Sequence, residues 1–164
     1  MMKRKYRILL VVFVFLLALD QGSKLYIERH FPLHQPREAI KGVLNITHVL
    51  NRGAAFGLMA DRQGFSYLFV IISFVAMVLI LYYFRRIEEG DLWAPFCLSL
   101  IFTGAMGNLV DRFRLGGVVD FLDFHYKGWH WPAFNVADVS ITIGVLLLAL
   151  KILWGGKKAA KGEG

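Results

Sequence analysis

Hydrophobic positions along the chain gather into four blocks. Residues 65–84 (FSYLFVIISFVAMVLILYYF) and 92–110 (LWAPFCLSLIFTGAMGNLV) are uncharged runs of 20 and 19 residues. At about 1.5 Å rise per residue, each crosses a hydrocarbon core roughly 30 Å thick. Two further runs, 8–19 (ILLVVFVFLLAL) and 139–150 (VSITIGVLLLAL), have only 12 residues each, which is short for a span. Each abuts an aspartate, Asp20 or Asp138. Counting those carboxylates as membrane-embedded extends the runs to 8–27 and 134–154. The pattern then predicts four transmembrane helices. A cleaved signal peptide is the competing reading of the N-terminus, since MMKRKYR precedes an apolar core, but no small-x-small cleavage site follows LALDQGSK.

Between the spans lie two polar segments, 28–64 and 111–133. In the first, GVLNITHVL (42–50) alternates imperfectly and is rich enough in β-branched residues to predict a strand, and NRGAAFG (51–57) supplies a turn or bulge. The expected fold class is a membrane all-α core of four transmembrane helices with a small extracytoplasmic β-sheet and loops. Residues 1–154 form one integral membrane domain, and GGKKAAKGEG (155–164) reads as a disordered cytoplasmic tail. No internal repeat is visible.

Composition agrees with this picture. The chain is 57% hydrophobic and 19% charged, with a mean hydropathy of +0.52, outside the usual range of soluble domains. Lys3, Arg4, Lys5 and Arg7 precede the first span, Arg85 and Arg86 follow the second, and Lys151, Lys157, Lys158 and Lys161 close the chain. This clustering, with an even number of spans, puts both termini in the cytoplasm and both polar segments outside. The net charge of +7 needs no nucleic acid, because anionic lipid attracts such flanks. Cys97 is the only cysteine, which rules out an internal disulfide and a thiolate cluster; mid-span, it reads as a small apolar packer. It lacks the small-residue context of a lipidation box, so the chain is not itself read as a lipoprotein. Nothing in the sequence sets the number of copies, and a monomer is compatible with it.

Given this topology, each intramembrane polar residue has a depth. Asp20 and Lys24 fall toward the outer end of helix 1, Asn108, Asp111 and Arg112 at the outer end of helix 3, and Asn135 and Asp138 in the first turn of helix 4. Three helices thus carry polar groups in the outer leaflet, and the second carries no charge. A charge within a span costs a few kcal/mol and is normally paired, faces the bundle interior and serves function. Asp20 with Lys24 and Asn108 with Arg112 are spaced i,i+4, and Asn135 with Asp138 i,i+3, so each set shares one helix face. The blander readings are an intrahelical ion pair, a helix end, and an N-cap with a dipole-favoured carboxylate. Asp120 resists them: it sits in GGVVDFLDF among Val118, Val119 and Phe121 with no adjacent cation, where desolvation raises a carboxyl pKa.

Two carboxyls near one another at a water–lipid boundary are suited to aspartic acid–base chemistry, in which they share one proton. Residue chemistry nominates Asp138 plus one of Asp120, Asp123 or Asp111. Of these Asp111 is the weakest, since Arg112 and the helix end would hold it ionised. The histidines His30, His34, His48, His125 and His130 lack ligand spacing, and no H-E-x-x-H occurs, so no metal and no cofactor are expected. No G-x-S-x-G elbow is present, and a Ser-Lys dyad across helices has no support. A proton-coupled carrier remains a rival class, but carriers hold their sites near the midplane and often show repeats; a scaffold without chemistry is another.

The segments LDQGSK (19–24), NRGAAFG (51–57), GNLVDR (107–112), VVDF (118–121) and FNVAD (134–138) together closely resemble the lipoprotein signal peptidase family, also called signal peptidase II, over residues 8–154. That resemblance implies an aspartic endopeptidase of the bacterial inner membrane whose partner is a diacylglyceryl-modified prolipoprotein, cut just before the lipidated cysteine. It also implies that the catalytic pair is Asp120 and Asp138, that Asp20, Lys24, Asn51, Gly53, Asn108, Arg112 and Asn135 support the site or contact substrate, and that a small extracytoplasmic sheet cradles the substrate. Asp111, inside GNLVDR, joins the supporting set. The resemblance carries no role onto Arg52 or Asp123.

Overall fold

The computed structural model describes residues 2–53 and 64–161. Four helices, α1 (Arg4–His30), α2 (Gly64–Arg86), α3 (Trp93–Leu115) and α4 (Val136–Lys161), carry a sheet built from β1 (Arg37–Ile40), β2 (Leu44–Asn51), β3 (Val118–Tyr126) and β4 (Trp129–His130). All four helices are long and apolar enough to cross a membrane. Helix α3 is the centre of the bundle and packs against α1, α2 and α4. Half of its apolar window is buried, against 11–17% for the other three, whose leucines, valines and phenylalanines face outward as lipid-facing surfaces do.

Each helix is longer than its apolar run. Helix α3 continues past residue 110 through Asp111 and Arg112, which were expected to open the second polar segment. A hydropathy window stops at the first charge, but Asp111 is neutralised inside the bundle, as shown below. The helix ends instead where Gly116 takes a left-handed conformation (φ +70) and donates to Arg112 O at 3.0 Å, a termination glycine adopts with little strain. Helix α4 runs to Lys161, so residues 155–161, expected as irregular tail, carry helical backbone; after the Gly pair, Lys and Ala are good helix formers. Residues 162–164 and Ala54–Gly57, the latter part of the expected turn after residue 51, lie outside the described residues.

The expected strand at 42–50 is β2, shifted by a residue or two, and it pairs antiparallel with β1 on one side and β3 on the other. Strand β4 closes on β3 through Lys127 and Gly128, both at positive φ, the backbone that a two-residue hairpin needs. A core of Ile27, Val119 and Phe121, flanked by Phe31, Ile46, Leu50 and Leu115, fixes the sheet to the ends of α1 and α3. At the opposite end of the bundle, Lys5 donates to the carbonyls of Arg85 and Ile87 at 3.0 and 2.6 Å, Asp91 caps the amides of Trp93 and Ala94, and Lys151 pairs with Asp91. The basic flanks and the sheet therefore lie at opposite ends.

Candidate active site

Where α4 begins, Asn135 and Asp138 cap each other. Asn135 Oδ1 accepts from the Asp138 amide at 3.0 Å, and Asp138 Oδ2 accepts from the Asn135 amide at 3.2 Å. This reciprocal cap satisfies two of the donors that a helix start leaves open. A third, the Ala137 amide, donates to Asp20 Oδ1 of α1 at 2.9 Å. The first turn of α4 is thus held from within and from a neighbouring helix.

Asn135 also reaches outward. Its Nδ2 donates to Asp120 Oδ1 at 2.7 Å and lies 3.3 Å from Asn108 Oδ1. Asn108 Nδ2 in turn donates to Asp138 Oδ1 at 2.8 Å, and Asn51 Nδ2 donates to Asp120 Oδ2 at 2.9 Å. Gly53 N donates back to Asn51 Oδ1 at 3.1 Å, which fixes the Asn51 amide. Each carboxylate is therefore seated by two neutral donors, and one asparagine bonds to both. Burial, followed by the neighbouring Asp138, pushes the Asp120 carboxyl up to about 7 from an ordinary 3.8, with the Asn51 and Asn135 hydrogen bonds opposing the rise.

Behind the pair lies a buried ion cluster. Lys24 Nζ meets Asp20 Oδ2 at 2.9 Å, Asp111 Oδ2 at 3.0 Å and Asn108 Oδ1 at 3.0 Å, three acceptors for three N–H groups. Asp111 Oδ2 also accepts the Val119 amide at 3.1 Å, tying α3 to the strand that carries Asp120. The nearest cation on Asp111 is thus Lys24, with Arg114 farther off at 3.8 Å, and not the sequence neighbour Arg112. Arg112 lies over the Phe69 ring at 5.3 Å and reaches its own helix at Asn108 O. Close approach is required here: a Cβ on Gly107 would strike Asp20 Oδ2, and one on Gly104 would strike Ala137 O. Gly104 and Gly107 thus let α4 and α1 approach α3 closely.

Both carboxylates line one cavity of about 580 Å³, together with Asn51, Gly53, Asn108 and Arg112. Its apolar wall combines Phe69 of α2, Val139 and Ile143 of α4, Val118, and the segment from Trp131 to Phe134. The structure thus brings all ten sequence-nominated residues into one connected region and divides them. Six line the cavity, whereas Asp20, Lys24, Asp111 and Asn135 stand behind it. Asp111 is taken up by Lys24 and the Val119 amide, whereas Asp120 shares the cavity with Asp138. Sequence reasoning missed Gln21, whose Nε2 lies within 3.0–3.1 Å of Asp20 Oδ2, Gly107 O and Asp111 Oδ1. It missed Thr142 and Ile143 too, although their spacing from Asp138 and Val139 on the cavity face is the helical i,i+4. Phe69 carried no signal, being one aromatic in an apolar run.

Comparison with known proteins points one way. The family model described as signal peptidase (SPase) II matches residues 12–154. A lipoprotein signal peptidase from Geobacter sulfurreducens is 47% identical over 93% of this chain and 95% of its own length. The one from Geobacter metallireducens is 42% identical over 98% and 99%. A solved structure described as a bacterial membrane enzyme obtained by the in meso method at 2.3 Å resolution superposes with a TM-score of 0.83, at 34% identity, over 92% of this chain and 90% of that one.

Proposed function

The chain belongs to the signal peptidase II family, and on that premise we propose that it is an aspartic endopeptidase that removes the signal peptide from diacylglyceryl-modified prolipoproteins, cutting before the lipidated cysteine. The observation that carries the reading is the shared asparagine: Asn135 bonds to Asp120 through its side chain and to Asp138 through its reciprocal cap, and both carboxyls border the same cavity.

Chemically, Asp120 and Asp138 hold one proton between them. Asp120, raised to about 7, holds it in the resting site and gives it to the scissile carbonyl oxygen as the water adds. Asp138 takes a proton from a water molecule as the water oxygen attacks the carbonyl carbon. In the resulting gem-diol, Asp138 returns that proton to the amide nitrogen of the cysteine, the C–N bond breaks, and a hydroxyl proton goes back to the dyad. Arg112 and Asn108, on the cavity wall, are positioned to contact substrate. Asp20, Lys24 and Asp111 are positioning residues.

The enzyme is read as resident in the bacterial inner membrane with both termini cytoplasmic and the site near the outer face. Supporting this are the basic flanks at the end of the bundle opposite the sheet, in keeping with the distribution of cations about membrane spans. Asp120→Asn and Asp138→Asn, purified separately and given a diacylglyceryl-modified prolipoprotein, are each expected to lose at least about a thousandfold in kcat, the scale on which individual members of a catalytic set are felt. Near-normal cleavage by either folded variant would remove the dyad.

A further inference from the structure

Strand β3 turns an i,i+3 pair of carboxyls toward one side. In a regular strand Asp120 and Asp123 would face opposite ways, because side chains alternate. Here the amides of Phe121 and Leu122 both donate to the Phe134 carbonyl, at 3.0 and 2.9 Å, while Phe134 N donates back to Leu122 O at 3.1 Å. Two residues of β3 thus oppose one of the partner segment, a bulge of the kind that re-aims the next side chain. Asp120 and Asp123 consequently both line a second cavity, about 540 Å³, with Asn51, Arg52, Thr47 and His130.

Asp120 and Asn51 belong to both cavities, so a peptide crossing at Asp120 has two ways to leave. The first cavity is walled by apolar groups of α2 and α4, as suits a lipid-embedded helix. The second adds Thr47, Arg52, Asp123 and His130 to an apolar rim that includes Leu50 and Trp131 and draws none of its lining from the four helices, as suits chain outside the bilayer. Within it, Asp123 is firmly seated: His130 Nδ1 lies 2.9 Å from Oδ1, Asn45 Nδ2 donates to Oδ2 at 3.0 Å, and His125 stacks on His130 at 5.2 Å. Burial works against its charge, but the His130 and Asn45 hydrogen bonds outweigh it and hold the carboxyl below its ordinary value. The cation Arg52 lines the cavity too, but beyond the Asn51 end of the β2–β3 pairing, away from Asp123, where its side chain runs beside Gly117.

We propose that the second cavity is the subsite for the first residues of the mature chain beyond the scissile bond, and that Asp123, seated by His130 and Asn45, is its specificity-determining residue, favouring Lys or Arg there and disfavouring Asp or Glu. The inference rests on the reading of the chain as a prolipoprotein peptidase acting at Asp120. Asp123 lies three strand steps from Asp120, roughly 10 Å at about 3.3 Å per residue before the bulge shortens it. An extended substrate covers that in two or three residues.

The test uses the full-length enzyme and diacylglyceryl-modified prolipoproteins carrying Lys, Ser or Glu at the second and third residues after the scissile bond, with kcat/KM read for each. Wild type is expected to favour Lys over Glu by about tenfold, a partly screened charge attracted in one substrate and repelled in the other. Asp123→Asn should bring the Lys-to-Glu ratio close to one, and Asp123→Lys should invert it, whatever either does to absolute rates. His130→Gln, which loosens the seat but keeps the charge, should lower the ratio part of the way. If Asp123→Lys fails to fold, as thermal unfolding will report, Asp123→Asn decides. Wild-type cleavage without Lys-to-Glu discrimination, or a ratio unchanged by Asp123→Asn, overturns the subsite and leaves the peptidase standing. Failure of wild type to cleave any of the three substrates overturns both.

Discussion

Lys24 and Asn108 meet at 3.0 Å inside the bundle, the ammonium of α1 donating to the amide oxygen of α3. That contact orients Asn108. With its oxygen committed to Lys24, its nitrogen turns to Asp138 Oδ1 at 2.8 Å. Through Asp111 the same ammonium bears on Val119, next to Asp120. One cation on α1 thus positions both carboxyls without lining their cavity.

Lys24→Met should therefore remove activity and stability together. It leaves Asp20 buried without its cation and Asp111 with only the more distant Arg114, and breaking a buried pair in this way typically costs about 3–5 kcal/mol. Lys24→Arg is not expected to rescue, because a planar guanidinium does not fit three acceptors gathered about one nitrogen. Thermal unfolding of the detergent-solubilised protein measures the first effect, and cleavage of the lipidated substrate the second.

Cleavage should weaken as pH rises through about 7, where Asp120 gives up the proton that the mechanism requires. Because the Asn51 hydrogen bond opposes that high value, Asn51→Leu should move this alkaline limb to higher pH, whatever it does to the plateau. A profile of kcat/KM against pH for both proteins decides; a limb that stays in place or moves down contradicts the assignment.

Stability carries the same signature with a definite sign. The unfolded Asp120 carboxyl titrates near 3.8 and the folded one near 7, so between those values the folded state holds the extra proton. The contribution is complete below about 3.8, is lost progressively as pH rises to about 7, and does not change further above that. It amounts to a few kcal/mol by the usual conversion, on the order of 1.4 kcal/mol per unit. Asp120→Asn should flatten the melting temperature between pH 4 and 7 relative to wild type, even as cleavage is lost.

Two glycines should respond in opposite directions to the same substitution. Gly107→Ala drives a methyl into Asp20 Oδ2, and overpacking of this kind costs about 1–3 kcal/mol; cleavage should fall with it, since Asp20 holds Lys24 and the α4 start. Gly22→Ala, in α1 with nothing within 4 Å of the added carbon, should instead stabilise by up to about 1 kcal/mol, the difference in helix propensity. Melting curves of the two variants test the pair.

Much of this site could be read from the chain because the membrane prices charge so steeply. Asp20, Lys24, Asn108 and Asp138 stand out against apolar neighbours, and an even number of spans assigns them one depth. Pairing across helices is different. The sequence puts Arg112 beside Asp111, yet the contact that neutralises Asp111 comes from Lys24, 87 positions earlier, and depends on α3 continuing helical past its first charge. Strand alternation likewise says nothing of Asp123 sharing a wall with Asp120, because the bulge that causes it is made with Phe134, a residue beyond the hairpin. Gln21 was invisible for a simpler reason: one polar residue between Asp20 and the next turn has no period to betray it.

Asp138 and the start of α4 are a single mechanical part. Its Oδ2 holds the Asn135 amide, its own amide is held by Asn135 Oδ1, and Asp20 grips the Ala137 amide between them. The helix therefore cannot change its inclination without changing where that carboxylate points. A bilayer thicker or thinner than the apolar length of α4 leans on the helix, since mismatch is relieved by tilt, and the lean carries the Asp138 carboxylate with it. The acyl chain length of the surrounding lipid thereby bears on where the Asp138 carboxylate points.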